Sequence, residues 1–366
     1  MSDPTMSAAP STSGRKSGSS IALILVIAIV LAAAATVYFA FGRTNEPRRL
    51  KLALVTWTED PFWGPLLRGA QDCAEHNNVE LTIIKSKPTV EDQTKHIKDL
   101  LGEGVDGIAI SPNDVIAQKA ILDEVTGKIP VVTFDTDAPE TRRRRFVSID
   151  NYAAGRVVAD EMRDALPDGG PVLISVGSMQ MQHGRDRRQG VIDGLLDRGF
   201  DRARAVDPQD AVLKGAKYTI VATVTDGGVP AKAVEALTEA LKAHPEVKGV
   251  IGLFSYSAPA ALAAMKEAGR SDTVQVVGFD ESDETQAAIA TGKIHASIIQ
   301  DSYRAGYESI ELLARETRGV ARGPAEQTPI LFVGINVLTD KNLQDLRATG
   351  AIRQPADAST TRPSGT

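Results

Sequence analysis

The sequence contains a single cysteine, Cys73, in 366 residues. No disulfide can therefore form within the chain. Cys73 stands in a helical pattern between Pro65 and Asn77, where a free thiol behaves as a small apolar side chain, and we predict that it is buried. Because no cysteine lies within or just after the N-terminal apolar run, a bacterial lipoprotein anchor is excluded.

An excess of basic residues is also missing: the formal net charge is -6 and the isoelectric point is about 5.5. No global positive field exists to attract nucleic acid, so nucleic acid is not expected as a partner. The composition, 42% hydrophobic and 24% charged, is that of an ordinary globular protein. At roughly 100 to 200 residues per domain, the part of the chain after the apolar run predicts two lobes.

The common signatures of cofactors and catalysis are absent. The sequence has no G-x-G-x-x-G after its first predicted strand, no G-x-x-x-x-G-K-[ST] and no G-x-S-x-G. Nucleotide-cofactor and hydrolase chemistry therefore have no local support. The histidines are scattered without the spacing of metal ligands. We expect no cofactor, no metal site and no catalytic residue.

An uncharged apolar run occupies residues 21–41. As a helix it would span the roughly 30 Å of a bilayer core, whereas the apolar part of a signal peptide is usually about 7 to 15 residues long. We predict a transmembrane anchor there, with a signal segment as the alternative. Residues 1–20 are predicted to be disordered, residues 42–49 to be a linker, and residues 348–366 to be a disordered tail.

Short apolar runs alternate with longer amphipathic stretches along the rest of the chain, and the series occurs twice. The first series of predicted strands is Leu50 to Trp57, Val79 to Ile84, Gly107 to Ser111, Pro130 to Phe134 and Phe146 to Ile149. The second is Pro171 to Val176, Tyr218 to Thr223, Gly249 to Leu253, Val274 to Gly278 and Ile294 to Ile299. This alternation predicts an α/β protein with two doubly wound parallel sheets.

Polar and aromatic residues follow many of these strands. In an open parallel sheet, ligands bind outside the carboxyl ends of the strands. The candidate binding residues are Asp60, Phe62, Trp63, Asp135, Arg185, Phe254, Asp280 and Gln300. Carboxylates accept hydrogen bonds from sugar hydroxyls, an arginine or an amide donates to them, and aromatic planes pack on the C–H faces of a sugar ring. The set therefore favours a small sugar as the ligand.

Seven segments carry a family resemblance, in this order: EDPFW, GVDGIAISP, IPVVTFDTDAP, SIDNYAAG, HGRDRRQG, VVGFDES and TGKIHASIIQD. From about Leu50 to Leu346 the chain resembles a type I periplasmic sugar-binding protein of the ribose-binding-like family. The resemblance implies two lobes joined by a three-stranded hinge, with crossings near Asp150, Gln300 and Thr328. The implied lobes are residues 50–149 plus 301–328 and residues 150–300 plus 329–347.

The resemblance also assigns roles to the candidate residues. The loop carrying Asp60, Phe62 and Trp63 is implied to touch the sugar, and Asp135 to hold its hydroxyls. Arg185 corresponds to the family's ligand arginine. The other three implied ligand positions are Phe254, where relatives often have asparagine, Asp280 and Gln300. One departure is that Thr136 stands where ribose-type proteins have arginine, so the sugar need not be ribose.

Each candidate except Asp60 also has a purely structural interpretation. Asp135 and Asp280 could cap a turn and a helix. Phe62 and Trp63 could pack the first helix, and Phe254 could belong to the core.

The remaining two candidates have alternatives as well. Gln300 could bond backbone groups at a strand end. Only one of the three arginines in GRDRR can face a cleft, so Arg185 could lie on a solvated face instead. The basic run Arg142 to Arg145 is predicted to be a solvated loop, with an anionic partner as the alternative.

Three functions remain open at this point. The leading hypothesis is an extracytoplasmic solute-binding protein, in the cell envelope and either anchored in the inner membrane or secreted, that captures a monosaccharide for an ABC-type permease. The second is a membrane-anchored sensor for a sugar or an autoinducer-2-like signal that reports to another membrane protein. The third, a carbohydrate-active enzyme, is considered because carboxylates converge on the cleft; we do not expect an enzyme.

Overall fold

The structure, a computed structural model, describes residues 26–33, 48–59, 61–201, 203–271, 273–320, 323 and 328–352. The chain divides into two compact units, residues 1–49 and residues 50–366. In the first unit, residues 26–33 are helical and exposed. Over the described ranges, no helix combines the length and the apolar character needed to cross a membrane. Residues 1–20, most of the predicted anchor at 21–41 and most of the linker at 42–49 lie outside these ranges.

The second unit alternates strands and helices. Its strands are β1 Leu50–Thr56, β2 Val79–Lys85, β3 Gly107–Ile110, β4 Val131–Phe134, β5 Arg145–Ser148, β6 Gly170–Val176, β7 Leu213–Lys214, β8 Tyr218–Thr225, β9 Gly249–Gly252, β10 Gln275–Phe279, β11 Ala296–Gln300, β12 Ile330–Phe332 and β13 Ile335–Leu338. Its helices are α1 Gly64–His76, α2 Val90–Glu103, α3 Lys119–Lys128, α4 Asn151–Ala165, α5 Gln182–Leu195, α6 Pro230–Ala243, α7 Ser257–Glu267, α8 Asp283–Ala290, α9 Ser302–Thr317 and α10 Leu343–Ala348.

The strands form two sheets. The first has the order β12-β5-β4-β3-β1-β2, and its neighbouring strands are parallel. The second has the order β13-β11-β10-β9-β6-β8-β7, in which only the edge strands β13 and β7 pair antiparallel. Strands β3, β4 and β9 are buried at every position, as helices on both faces require. The predicted α/β fold with two parallel sheets is confirmed.

Along the described strands, the chain passes between the two sheets after Ser148, after Gln300 and after Phe332. The third passage was predicted near Thr328 and lies later in the chain. The reason is that Ile330–Phe332 pairs with β5 and so extends the first sheet before the chain leaves it.

The predicted tail begins differently from the expectation. Ile352, inside the segment predicted to be disordered, is only 2% exposed and packs in the core of the second sheet. Its backbone N–H donates to the carbonyl of Leu346 after the left-handed turn at Gly350. The apolar side chain of Ile352 thus packs the chain against the core just after α10. Residues 353–366 lie outside the described ranges.

Helices α1 and α9 cross in backbone contact beside the first sheet. A Cβ atom at Gly306 would lie 1.9 Å from the carbonyl oxygen of Leu66. A Cβ atom at Gly69 would lie 2.0 Å from the carbonyl oxygen of Tyr303. The two glycines therefore allow a close packing that no other residue permits. Cys73, on the same helix, is buried as predicted, and burial raises the pKa of its thiol to about 12.

The second sheet has a matching crossing between α4 and α5. A Cβ atom at Gly155 would lie 2.1 Å from the carbonyl oxygen of Arg187, and one at Gly190 would lie 2.1 Å from that of Tyr152. This contact fixes the backbone of α5 where Arg187 leaves it. The close packing of the fold therefore positions a side chain of the candidate site.

Candidate functional site

Three neighbouring cavities lie beyond the carboxyl ends of the strands, lined by loops of both sheets. The largest, about 650 Å³, extends from Phe62 on the side of the first sheet to Tyr256 and Asp280 on the side of the second. Another, about 150 Å³, lies between Asp135 and His183. A small one, about 20 Å³, shares Phe62 with the largest and Asp135 with the second, so it lies beside both. Together they form one cleft between the sheets.

Two aspartates enter this cleft from equivalent positions. Asp135 follows β4 and Asp280 follows β10, and their backbones are left-handed, with φ of 59° and 63°. The backbone N–H of Asp135 donates to the carbonyl of Val147 at 3.1 Å, and that of Asp280 donates to the carbonyl of Ile298 at 2.7 Å. Left-handed backbone in a non-glycine residue costs on the order of 1 kcal/mol or more and is concentrated at functional sites. Aspartate adopts this backbone more readily than most residues, and Asp197 adopts it as well. It is therefore the position of Asp135 and Asp280 after equivalent strands, beside the cavities, that makes them site candidates.

Asp280 is held by Gln300. The side-chain amide of Gln300 donates to Oδ1 of Asp280 at 2.8 Å, and Asp280 is only 5% exposed. Gln300 ends β11, where the chain leaves the second sheet. The bond joins two of the predicted ligand residues and fixes the orientation of the carboxylate.

Asp135 is oriented by two hydroxyls. Ser111 donates to its Oδ2 at 3.2 Å, and Thr136 donates to the same oxygen at 3.4 Å. The carboxylate of Asp135 borders both of the smaller cavities. It is therefore fixed with an accepting oxygen beside the cleft.

The next carboxylate, Asp137, forms an ion pair. Arg143 donates to both of its oxygens, at 2.6 and 2.7 Å, and the side chains of Arg143 and Asp137 are only 7% and 9% exposed. In the same basic run, Arg145 is paired with Glu316 at 2.9 Å. The prediction of a solvated loop is therefore wrong for Arg143 and Arg145, because ion pairs withdraw both side chains from solvent.

Arg185, the predicted ligand arginine, bends back to its own loop. Its Nη1 donates to the carbonyls of Met179 and Gln180, at 2.9 and 2.7 Å. These bonds close the loop in front of α5. The guanidinium thus stabilises backbone, and the ligand role implied by the resemblance stays a prediction.

Arg187, two residues later, is buried close to the carboxylates of Asp280 and Asp135. It is 3% exposed and its guanidinium lies 3.9 Å from the ring centroid of Phe279, the residue before Asp280. Its Nε donates to Asn151 at 2.8 Å and its Nη1 to the carbonyl of Leu253 at 3.0 Å. Sequence reasoning missed Arg187, which the structure packs between α4 and β10.

The charges of the two aspartates act on Arg187. Burial lowers the pKa of its guanidinium, and the negative charges of Asp280 and Asp135 oppose that change. Since Asp135 belongs to the first sheet and Asp280 to the second, the positive charge of Arg187 lies between carboxylates of both sheets.

His183 is a second missed residue. Burial lowers the pKa of its imidazole to about 4, against the opposing effect of the Asp135 carboxylate. Its ring lies 5.4 Å from that of Phe254. The ring of His183 is therefore neutral at neutral pH. His183 lies on α5 and borders the same cavity as Asp135.

The predicted aromatic residues have different roles. Phe62 is half-buried and borders two of the cavities. Trp63 is 1% exposed, its indole N–H donates to Thr58 at 2.9 Å and its ring packs edge-on against Phe134, so most of its surface belongs to the core. Phe254 is half-buried and packs on its neighbours in the second sheet. Asp60 lies outside the described residues.

Tyr256 and Asp226 form a further pair, which the sequence did not predict. The phenol donates to Oδ1 of Asp226 at 2.8 Å, and the backbone N–H of Gly228 donates to the same oxygen. Burial raises the pKa of the Asp226 carboxyl and, together with the charge of Asp226, that of the Tyr256 phenol. Tyr256 is thereby fixed in the wall of the large cavity.

The cleft thus offers fixed accepting oxygens, the amide of Gln300 and aromatic faces, and the buried guanidinium of Arg187 lies close to its carboxylates. Fixed acceptors and donors of this kind can pair with the hydroxyls of a polyol, and the rings can cover its C–H faces. A mismatched analogue would leave a buried polar group without its partner, which gives selectivity.

Two known binding proteins are similar to this chain in sequence. A ribose import binding protein of Salmonella typhimurium is 26% identical over 277 residues, which cover 75% of this chain and 87% of that protein. A putative rhizopine-binding protein of Rhizobium meliloti is 26% identical over 299 residues, covering 79% and 89%.

Solved structures show the same fold. An ABC transporter solute-binding protein from Burkholderia graminis, in complex with D-arabinose, superposes with a TM-score of 0.70 at 23% identity, covering 82% of this chain and 98% of that one. A glucose-galactose binding protein from Geobacillus stearothermophilus gives 0.70 at 24% identity, covering 81% and 99%. The model of the periplasmic binding protein domain matches residues 53–320. The chain therefore belongs to the periplasmic binding protein domain family.

Proposed function

We propose that this protein captures a small sugar between its two sheets and presents it to an ABC-type importer. The observation that carries the proposal is the placement of Asp135 and Asp280, which border the cleft from the two sheets. The charges of both carboxylates also act on the buried guanidinium of Arg187. The relatives that are named as ribose import and sugar-binding proteins support a sugar as the ligand. The family consists of binding proteins, which supports binding rather than catalysis.

Closure of the cleft is the proposed output. Each lobe consists of one sheet with its helices, residues 50–149 with the segment after 301 and residues 150–300 with the segment after Phe332. A ligand held by residues of both lobes binds the closed state better than the open one, and it shifts the population by that difference in affinity. The importer would then recognise the closed form. The hinge would consist of the three passages between the sheets.

We propose an extracytoplasmic location, with residues 21–41 as the membrane anchor or signal segment. The uncharged apolar run supports this assignment, because it is long enough to span a bilayer core of roughly 30 Å. Mass spectrometry of the protein from membrane and soluble fractions checks it. An intact N-terminus in the membrane fraction indicates an anchor, and a start after the run indicates cleavage.

A thermal-shift screen of the full chain in mild detergent tests sugar capture. The probes are D-ribose, D-arabinose, D-allose, D-glucose and D-galactose. A ligand at 100 times its Kd stabilises the folded state by about 2.7 kcal/mol, so a cognate sugar raises the Tm by several degrees. If amino acids or peptides raise the Tm and no sugar does, sugar capture is wrong.

A further inference from the structure

The widest part of the cleft has a wall unlike the polar corner at Asp280 and Gln300. Apolar side chains of both sheets border the cavity of about 650 Å³, among them Phe62, Pro65, Val234, Tyr256, Pro259 and Ala263. Pockets of roughly 300 to 1,000 Å³ with mostly apolar walls accommodate ligands of the size of a drug molecule. The space beside Asp280 therefore exceeds what hydrogen bonding to one sugar ring requires.

Tyr256, in the wall of this cavity, is held by its neighbours. The phenol of Tyr256 is fixed by Asp226, which is itself only 6% exposed. On the other side of the phenol, a Cβ atom at Gly177 would lie 2.7 Å from the hydroxyl oxygen. Tyr256 thus presents a fixed apolar ring face to the cavity, with its polar end already bonded.

The charge of the cavity restricts the ligand further. None of its bordering residues is Lys, Arg or His, whereas Asp280, Glu281, Asp283 and Glu284 all border it. A phosphate or carboxylate group placed there would be repelled by these charges. An uncharged substituent with an apolar face fits the wall instead.

We propose, on the basis of the sugar-capture function, that the ligand is a glycoside rather than a free monosaccharide. Its sugar ring binds at Asp280 and Gln300. Its uncharged, bulky aglycone lies in the large cavity against Phe62 and Tyr256. The aglycone is held by burial of apolar surface and by ring packing.

Isothermal titration calorimetry of the full chain in mild detergent tests the glycoside. The probes are the five sugars named above, with the α and β forms of their methyl and p-nitrophenyl glycosides. For at least one sugar, we expect the p-nitrophenyl glycoside to bind at least tenfold more tightly than the methyl glycoside. That factor corresponds to about 1.4 kcal/mol.

A cavity-filling variant assigns that preference to the cavity. Ala263 is exposed on α7 and borders the cavity, so Ala263→Trp fills the space for the aglycone. We expect the variant to lose the tenfold preference and to keep the affinity for the parent sugar within about twofold. Ala243→Trp, at the exposed end of α6 and outside the cavity lining, is the matched control and should keep both values.

The outcomes separate this inference from the function on which it rests. If parent sugars bind but the p-nitrophenyl glycosides bind no more tightly than the methyl glycosides, the proposal of a glycoside ligand is wrong and the proposal of sugar capture stands. The same holds if Ala263→Trp keeps the full preference. If neither the sugars nor their glycosides bind, sugar capture fails and the glycoside fails with it.

Discussion

Asp135 and Asp280 are structural equivalents: each directly follows a strand that ends in phenylalanine, and each has left-handed backbone, with φ of 59° and 63°. Both bond their backbone N–H to the neighbouring strand. The two sheets therefore present a carboxylate to the cleft by the same local geometry. This equivalence explains how one ligand could be held from both sides.

Asp280→Gly is expected to separate binding from backbone strain. Glycine adopts positive φ freely, so the variant loses the carboxylate without a backbone penalty. The affinity for the cognate sugar should fall about 30-fold, about 2 kcal/mol, because a charge-assisted hydrogen bond is lost. Calorimetry measures it. Asp197→Gly, an exposed aspartate with φ of 54°, is the control and should keep full affinity; equal affinities in both variants would remove Asp280 from the site.

The two arginines of α5 are expected to differ. Arg187→Lys keeps a positive charge but cannot reproduce the bonds to Asn151 and Leu253, so we expect at least about a tenfold loss of affinity. Arg185→Lys disturbs only its own loop and should change the affinity less than about twofold. Circular dichroism verifies that both variants fold. A larger loss for Arg185→Lys than for Arg187→Lys would restore the assignment implied by the family resemblance.

Stability is expected to depend on pH through His183. Its pKa is about 4 in the folded protein, compared with roughly 6.5 for an unfolded histidine, so the unfolded chain binds more protons between these values. The contribution of the neutral His183 ring to the free energy of unfolding amounts to roughly 2 to 3 kcal/mol. It is complete above about pH 6.5 and is lost as the pH falls towards 4.

Urea unfolding at pH 7 and pH 4.5 measures this dependence. Because carboxylates also titrate at low pH, the informative quantity is the difference between the wild type and His183→Gln. We expect the variant to lose about 2 kcal/mol less free energy of unfolding than the wild type over this range. An identical loss in both proteins would show that His183 is not a buried neutral ring.

Gly306→Ala is expected to be strongly destabilising. The added methyl group would meet the Leu66 carbonyl oxygen at 1.9 Å, so α9 must move away from α1 at a cost of about 3 kcal/mol. Gly102, inside α2, has nothing within 4 Å of the equivalent position. Gly102→Ala should therefore stabilise the protein by about 0.5 to 1 kcal/mol. Urea unfolding measures the free energy of unfolding of both variants. Similar changes in the two would show that α1 and α9 do not cross in backbone contact.

The central strands could be predicted because burial on both faces leaves continuous apolar runs in the sequence. The strands that were not predicted, Leu213–Lys214, Ile330–Phe332 and Ile335–Leu338, are short edge strands with few buried positions. Nothing local distinguishes such segments from loops. Their pairing is decided by where the sheets end, which the sequence pattern does not contain.

Helix periodicity does not decide between Arg185 and Arg187. Gly184, Arg187 and Val191 are spaced by three and four residues and are buried, but Arg188 and Ile192, which follow Arg185 at the same spacing, are buried as well. The side chain of Arg187 is placed by partners on other elements, Asn151 and Leu253, which no local pattern indicates. The role that the family resemblance implies for Arg185 stays a prediction.

The contacts that were not predicted involve partners far along the chain. Tyr256 bonds Asp226, 30 residues earlier. His183 lies in α5, whereas Asp135, which acts on it electrostatically, follows a strand of the other sheet. No local pattern indicates such pairs, because they form only when separate loops meet at the ends of two sheets. By contrast, Asp280 and Gln300 could be predicted since each directly follows or ends an apolar strand.

A crystal structure of the complex with the most tightly bound sugar or glycoside tests sugar capture most directly. The account predicts ligand oxygens within about 3.2 Å of Asp280 and Arg187 from the second sheet and of Asp135 from the first. A ligand contacted by one sheet only, or bound outside the cleft, would contradict it.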